Sequence, residues 1–201
     1  MSKGLDSTAS LASKAALLAA NGYTFAARYI FERSDFKTPL TKQEANELSK
    51  AGLSIVTIFE SGSPTSAAYF NGGKGESDGI IARAKARDAG QPAGTPIYAA
   101  VDYDAAPDDL DAIAAYFASF REQIKQWGYV AGVYGSGLVC DRLAEIGLVS
   151  YTWLSQSKGF AGYDHWLPRA NLVQGRETEL HAADVDLDAS EGAGGGWKVA
   201  G

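Results

Sequence analysis

A chain of 201 residues that is 46% hydrophobic and 21% charged suffices for one domain with a sizeable core, and lies outside the compositions of disordered or membrane-embedded chains. Its net charge of −6 argues against the clustered basic face that nucleic-acid binding needs. The single cysteine, Cys140, rules out an intramolecular disulfide. No apolar run approaches the ~20 residues of a membrane span, and the first residues reach Asp6 without the charged-then-apolar pattern of a secretion signal. The expectation is a monomer, cytoplasmic on synthesis, with no nucleic-acid partner and no membrane span.

Gly4-Leu5-Asp6 reads as a short strand ending in an acid. Ser10 to Ala20 follows as a helix with Leu11, Ala15 and Leu18 on one face, and Asn21-Gly22 is a helix stop. Tyr23 to Ile30 is a strand. Thr41-Lys42-Gln43-Glu44 is a capping-box sequence opening a helix that ends near Gly52. Leu53 to Phe59, rich in β-branched residues, is a strand ending on Glu60. Ser61 to Ser77 reads as a Gly/Ser-rich loop and Ile80 to Ala89 as a helix, with Arg83, Lys85 and Arg87 on its solvated side. Thr95 to Val101 is a strand running into Asp102-Tyr103-Asp104. Beyond Pro107-Asp108-Asp109, the residues Ile113, Phe117, Phe120, Ile124 and Trp127 recur at spacings of 4, 3, 4 and 3, one buried helical stripe. Tyr129 to Tyr134 is a strand, Leu138 to Ile146 a helix, and Tyr151 to Gln156, Asn171 to Gln174 and Ala183 to Asp188 are strands.

Eight strands, with helices after at least the first five, predict an α/β fold whose parallel sheet closes into a single (β/α)8 TIM-type barrel. The chain is short for that fold, so the barrel is slightly reduced, with its last helices abbreviated or missing. Residues 1–190 form the barrel and 191–201 a loosely packed glycine-rich tail. No Gly-rich phosphate fingerprint follows the first strand, which argues against a nucleotide-binding sheet.

Barrels of this kind carry their chemistry at the C-terminal strand ends. Standing there are Asp6, Arg28 and Tyr29, Glu60, Asp102 and Asp104, Tyr134, Trp153 and Gln156, Gln174, and Asp184, Asp186 and Asp188. Asp102 and Asp104 lie two apart, so an extended chain points both to one side; the same holds for Asp184, Asp186 and Asp188. Carboxylates crowded at one mouth raise one another's pKa, and a pair with separated values is what glycoside hydrolysis requires. The catalytic candidates are Asp6, Glu60, Asp102, Asp104 and Asp186. The substrate-binding candidates are Arg28, Tyr29, Tyr98, Tyr134, Trp153, Gln156, Gln174 and Asp188, with the aromatic rings as flat surfaces for sugars. Plainer roles stand beside these: strand-end aspartates as helix caps, Glu60 as an ion-pair partner of Arg28, Tyr98 and Tyr134 as core or rim residues, Cys140 as an inert buried thiol, and His165 and His181 as surface or loop residues.

Gly4-Leu5-Asp6, Phe25-Ala26-Ala27-Arg28-Tyr29-Ile30 and Ile97-Tyr98-Ala99-Ala100-Val101-Asp102-Tyr103-Asp104, in that order, resemble the glycoside-hydrolase-like family first filed as a domain of unknown function. Its members occur among bacterial secreted proteins and phage lysis proteins. More remotely the chain resembles the family 25 lysozymes, N-acetylmuramidases built on the same kind of barrel. The resemblance matches Asp6 to the acid ending their first strand, and Asp102-Tyr103-Asp104 to their Asp-x-Glu motif, whose Glu is the proposed general acid. It also matches Val185-Asp186-Leu187-Asp188 to their closing Val-Asp-x-Asn motif. Position 104 is Asp rather than Glu, one methylene shorter, which sets a proton donor back by about an ångström, a costly displacement for catalysis. Glu60 is the alternative donor.

The leading expectation is a peptidoglycan-degrading glycoside hydrolase of muramidase type, a phage endolysin reaching the wall after holin-type release or by another delivery route. It would cleave β-1,4 bonds between amino sugars with carboxylates, or with help from a substrate acetamido group, and without a cofactor. Two alternatives remain open: a barrel that binds cell-wall glycan without turnover, and a hydrolase whose carboxylates hold Mg²⁺ or Ca²⁺. Neither histidine lies at a strand end, so a zinc site is not expected.

Overall fold

The computed structural model describes residues 2–31, 38–180, 183–190 and 194–199, with 176–180 and 183–185 described by their backbone alone. His181 lies outside the described residues. In chain order the elements are β1 (Ser2–Ser7), a 3-10 turn (Ala12–Lys14), α1 (Ala15–Ala20), β2 (Phe25–Tyr29), α2 (Lys42–Lys50), β3 (Ser54–Phe59), α3 (Gly72–Asp88), β4 (Pro96–Ala100), α4 (Leu110–Lys125), β5 (Val130–Gly135), α5 (Gly137–Glu145), β6 (Tyr151–Leu154), α6 (Tyr163–Trp166), β7 (Leu172–Leu180) and β8 (Ala183–Ser190). The strands close into one barrel in sequential order, a TIM-type α/β architecture.

Strand alternation divides the apolar residues into two cores. Phe25, Ala27, Val56, Ile58, Tyr98, Ala100, Trp153 and Leu172 fill the barrel itself. Their neighbours, among them Leu5, Ala26, Ile55, Phe59, Ile97, Ala99 and Val101, face outward under the helices. Helix α4 lays Ile113, Phe117, Phe120 and Ile124 into that outer layer, as its spacing predicts. Trp127 departs from the stripe: the helix ends at Lys125, and the indole is 36% exposed, with the guanidinium carbons of Arg83 and Arg87 over its ring at 5.0 and 4.4 Å.

Three local expectations are corrected. Helix α3 begins at Gly72, well before Ile80, with Asn71 Oδ1 accepting from the Lys74 N–H at 2.9 Å as its N-cap. Gly75, one of the glycines that suggest a loop, serves packing instead. A Cβ on Gly75 would lie 2.1 Å from the Tyr116 carbonyl oxygen of α4, so only glycine lets the two helices approach this closely. Gly75→Ala is expected to destabilise the protein by about 1–3 kcal/mol, read as a lowered thermal midpoint.

The second correction concerns the last two strands. β7 and β8 form an antiparallel hairpin, and β8 closes the barrel antiparallel to β1, pairing Asp6 with Asp186 and Gly4 with Asp188. The expected parallel direction fails only for this closing strand, while the lack of a crossover helix between β7 and β8 fits last helices that are abbreviated or missing. Third, the tail from 194 to 199 is packed rather than loose. Trp197 pairs with Ile55 through its backbone and donates its indole N–H to Thr57 Oγ1 at 2.8 Å, while the Gly194 carbonyl accepts from the Tyr98 hydroxyl at 2.8 Å.

Candidate active site

The direction of β8 decides the depth of its acids. On a parallel strand Asp188 would stand nearest the mouth. On the antiparallel strand the order inverts: Asp186 lies level with Asp6, and Asp188 sits one inward step deeper, opposite Gln174 and Gly4. Asp188 is 5% exposed, and neither of its carboxyl oxygens completes a hydrogen bond. Burial, then the charges of Asp6 and Asp186, push its pKa well above the ordinary carboxylate range, against a small opposing pull from the nearby Trp153 indole. It faces the barrel interior one step below Asp6 and Asp186, away from the rim where a substrate contact is expected. Asp184 is described by its backbone alone.

Asp6 stands at the centre of the site. It is 3% exposed, and its pKa is pushed up to about 8. Burial is the largest cause, followed by the charge of Asp186; a hydrogen bond from Gln174 opposes them, Glu60 adds to the rise, and Arg28 lowers it. At neutral pH this carboxyl therefore keeps its proton. Gln174 binds both acids, its Nε2 donating to Asp6 Oδ2 at 3.1 Å and to Asp186 Oδ2 at 3.2 Å. Its Oε1 accepts from the Tyr134 hydroxyl at 2.7 Å and from the Gln156 backbone N–H at 3.4 Å.

Tyr29 and Tyr134 report which other carboxylates converge here. Burial raises the Tyr29 hydroxyl, followed by Asp6, Glu60, Tyr134 and Asp102. Burial likewise raises Tyr134, followed by Asp102, with Asp6 and Asp186 contributing. Asp6, Glu60, Asp102 and Asp186 thus act on one pair of tyrosines from β1, the ends of β3 and β4, and β8. Glu60 is half-buried and Asp102 exposed, so the acids grade from a protonated floor to a solvated rim.

Other candidates fall outside this group. Asp102-Tyr103-Asp104 leaves the strand at Ala100 and bends, so Asp102 and Asp104 do not share an extended face. Asp104 is exposed, and its Oδ1 accepts the Ala161 N–H at 2.8 Å, tying the β4 loop to the loop before α6. It holds a loop and does not join the carboxylates around Asp6. Asp104→Asn, which keeps that acceptor, is expected to leave glycan turnover unchanged, whereas replacing a true general acid would cost about 10²–10⁴-fold; the rate of turbidity loss distinguishes the two.

Arg28 is also corrected. It is fully buried, and its ion pair is with Glu44 rather than Glu60: Nε donates to Glu44 Oε1 at 2.7 Å and Nη2 to Oε2 at 3.3 Å. Nη1 donates to the Ser7 carbonyl and Nη2, at 2.9 Å, to the Thr38 carbonyl. Four of its five N–H donors are thus engaged by protein groups, and the side chain is fully buried. The capping box foretells half of this, since Thr41 Oγ1 accepts the Glu44 N–H at 3.1 Å. The Glu44 carboxylate, however, turns inward to Arg28 and the Leu11 N–H at 2.7 Å. Tyr98 is a barrel-core ring, fully buried and edge-on to Trp153 at 5.9 Å between centroids. Trp153 is 1% exposed and packs edge-on under Tyr134 at 5.3 Å, so it supports the floor and is no sugar platform. His165 is exposed, 3.5 Å from Asp141, and Cys140 is buried with its thiol pKa raised, both as expected.

One buried acid went unrecognised in the sequence. Asp78 of α3 is fully buried, accepting from the Tyr69 and Tyr116 hydroxyls at 2.5 and 2.9 Å and pairing with Lys74. It falls at the edge of a stretch that reads as loop, where no pattern marks a buried charge. Among the described residues no three His, Cys, Asp or Glu side chains are grouped to hold a metal ion, and no helix is long and apolar enough to cross a membrane.

Comparison with known proteins bears on the fold and the family. The model of the Rv2525c-like, glycoside hydrolase-like domain matches residues 15–191. An uncharacterised Bacillus subtilis protein, YbfG, is 34% identical over 165 residues, 75% of this chain, and the chain spans 22% of that relative's length. Mycobacterium tuberculosis Rv2525c, named as a candidate peptidoglycan hydrolase, is 27% identical over 88% of this chain and 75% of its own length. Its crystal structure superposes with a TM-score of 0.84 at 24% identity, covering 98% of both chains. A family 25 glycosyl hydrolase from Bacillus anthracis shares the fold at a TM-score of 0.56 and 15% identity, over 96% of this chain and 90% of that one. Because that domain model spans residues 15–191, the chain belongs to the Rv2525c-like, glycoside hydrolase-like domain family.

Proposed function

We propose that the chain is a peptidoglycan-degrading glycoside hydrolase of muramidase type, cleaving β-1,4 bonds between amino sugars. The observation that carries this reading is the buried Asp6 carboxyl, bridged to Asp186 by Gln174 among the converging carboxyl groups of Glu60 and Asp102, with its pKa pushed up to about 8. Glycoside hydrolysis needs one carboxyl that holds a proton for the leaving oxygen and another that is ionised, facing the sugar carbon or activating water. Asp6 has the first property. Asp102 and Glu60, nearer the rim beside Tyr29 and Tyr134, are the partners for the second, and a substrate acetamido group can take the nucleophile's part. Family membership and the likeness to a named candidate peptidoglycan hydrolase support the substrate class. Release to the wall by a holin, as for a phage endolysin, is the delivery route we attach to this reading.

The test is loss of turbidity in a peptidoglycan suspension, with reduced products weighed by mass spectrometry. New muramic-acid reducing ends are expected; cut peptides on intact glycan would sink the proposal. A second reading, a barrel that binds wall glycan without turnover, draws on Asp104. The residue at the position matched to the family 25 general acid accepts the Ala161 N–H through its Oδ1. Sedimentation with peptidoglycan and no new reducing ends would favour it.

A further inference from the structure

Gln174 has the composition of a substrate-binding residue, but its surroundings point elsewhere. It is 6% exposed, and both ends of its amide are engaged. The backbone N–H of Gln156 can only donate, so the amide edge facing it is the carbonyl Oε1, which also accepts from the Tyr134 hydroxyl at 2.7 Å. That orientation turns the NH₂ edge toward two carboxyl groups, one on Asp6 and one on Asp186.

An amide NH₂ cannot accept a proton. The oxygens it touches, Oδ2 of Asp6 and Oδ2 of Asp186, are therefore acceptors, and because a carboxyl's carbonyl oxygen accepts better than its hydroxyl oxygen, the contact favours any proton held by Asp6 on Oδ1. We infer that Gln174 is the positioning residue of the site: pinned by Gln156 and Tyr134, its amide aligns Asp6 with Asp186 and biases the exchangeable proton of Asp6 toward Oδ1. Gln174 touches no reacting atom; it acts through the two acids. This rests on the glycosidase reading only for what the proton is used for. The preference for Oδ1 follows from the hydrogen bonds.

The groups that bear on Asp6 come from every side of the barrel: Asp186 and Asp188 from β8, Tyr29 from β2, Glu60 and Asp102 from the ends of β3 and β4, Tyr134 from β5, and Arg28 from the outer face of β2. Of these influences, the hydrogen bond from Gln174 is the largest that lowers the Asp6 pKa. Removing it is therefore expected to leave Asp6 holding its proton to higher pH.

The experiment compares wild type, Gln174→Met and Tyr134→Phe by carbon NMR titration of the Asp6 carboxyl without substrate. Glycan turnover is then measured across pH. Gln174→Met, close in size but unable to hydrogen-bond, is expected to raise the Asp6 midpoint. Tyr134→Phe, which removes one hydroxyl and keeps the ring, is expected to move it the same way by less. In turnover, Gln174→Met is expected to lower kcat by about 10²-fold, the scale of a misplaced catalytic group, with KM little changed and the alkaline limb shifted upward. An unmoved Asp6 titration in both variants would overturn the inference. So would a raised KM at unchanged kcat, the signature of a uniform substrate contact. If the titration shifts but no variant, wild type included, turns over glycan, the orienting role stands and the glycosidase reading fails.

Discussion

Asp6→Asn is expected to abolish most glycan turnover, by about 10²–10⁴-fold, and at the same time to remove a pH dependence of stability. The asparagine keeps an oxygen for Gln174 but carries no proton to give. The stability effect follows from linkage. The Asp6 pKa is raised from 3.8 to about 8 in the folded protein, so between those values the folded state holds a proton that the unfolded state releases. Stability therefore falls as pH rises through this window, by up to about 1.4 kcal/mol per pH unit for one group, and levels off above it. In the wild type this contribution is fully present only at the acid end. Urea denaturation at successive pH values from 5 to 8 measures the slope, which Asp6→Asn should flatten. An active variant, or wild-type stability that rises across this window, would remove Asp6 from its assigned role.

The second large effect concerns Arg28 and Glu44. Arg28→Met leaves a carboxylate that is 2% exposed without its partner, and breaking a buried pair in this way costs about 3–5 kcal/mol. Converting both, Arg28→Met with Glu44→Leu, is expected to recover most of the loss, because no uncompensated charge then remains. A double-mutant cycle in denaturant reads the coupling directly. The site feels the change too. Arg28 donates to the carbonyl of Ser7, the residue after Asp6, and its charge lowers the Asp6 pKa. The single variant should therefore raise that pKa. Stability equal to wild type with a raised KM would return Arg28 to the list of sugar ligands.

Much of this molecule is legible in one dimension. Strands β1 to β6 follow from apolar runs ending in acids or aromatics, and α4 from a spacing that only a helix turns into one face. The acids that converge at the mouth could be named for the same reason: a strand end in this architecture is a place, and Asp6, Glu60 and Asp102 occupy three of them. Glycines misled the reading of α3, because a residue that frees the backbone in a loop also lets two helices touch, and composition does not say which.

What the residues could not reveal depends on direction and on partners remote in sequence. Nothing in Ala183 to Asp188 tells a parallel strand from the returning arm of a hairpin, yet that direction sets the depth of Asp186 and Asp188. Arg28 stands where a sugar ligand would, and only the fold brings Glu44 of α2 against it. Gln174 lies 168 positions from Asp6, and its amide acquires a role only where the closing strands bring β1, β7 and β8 together. Local pattern constrains which face of a strand is buried. The choice of hydrogen-bonding partner, and with it the proton on Asp6, is made by groups that meet only when the barrel closes.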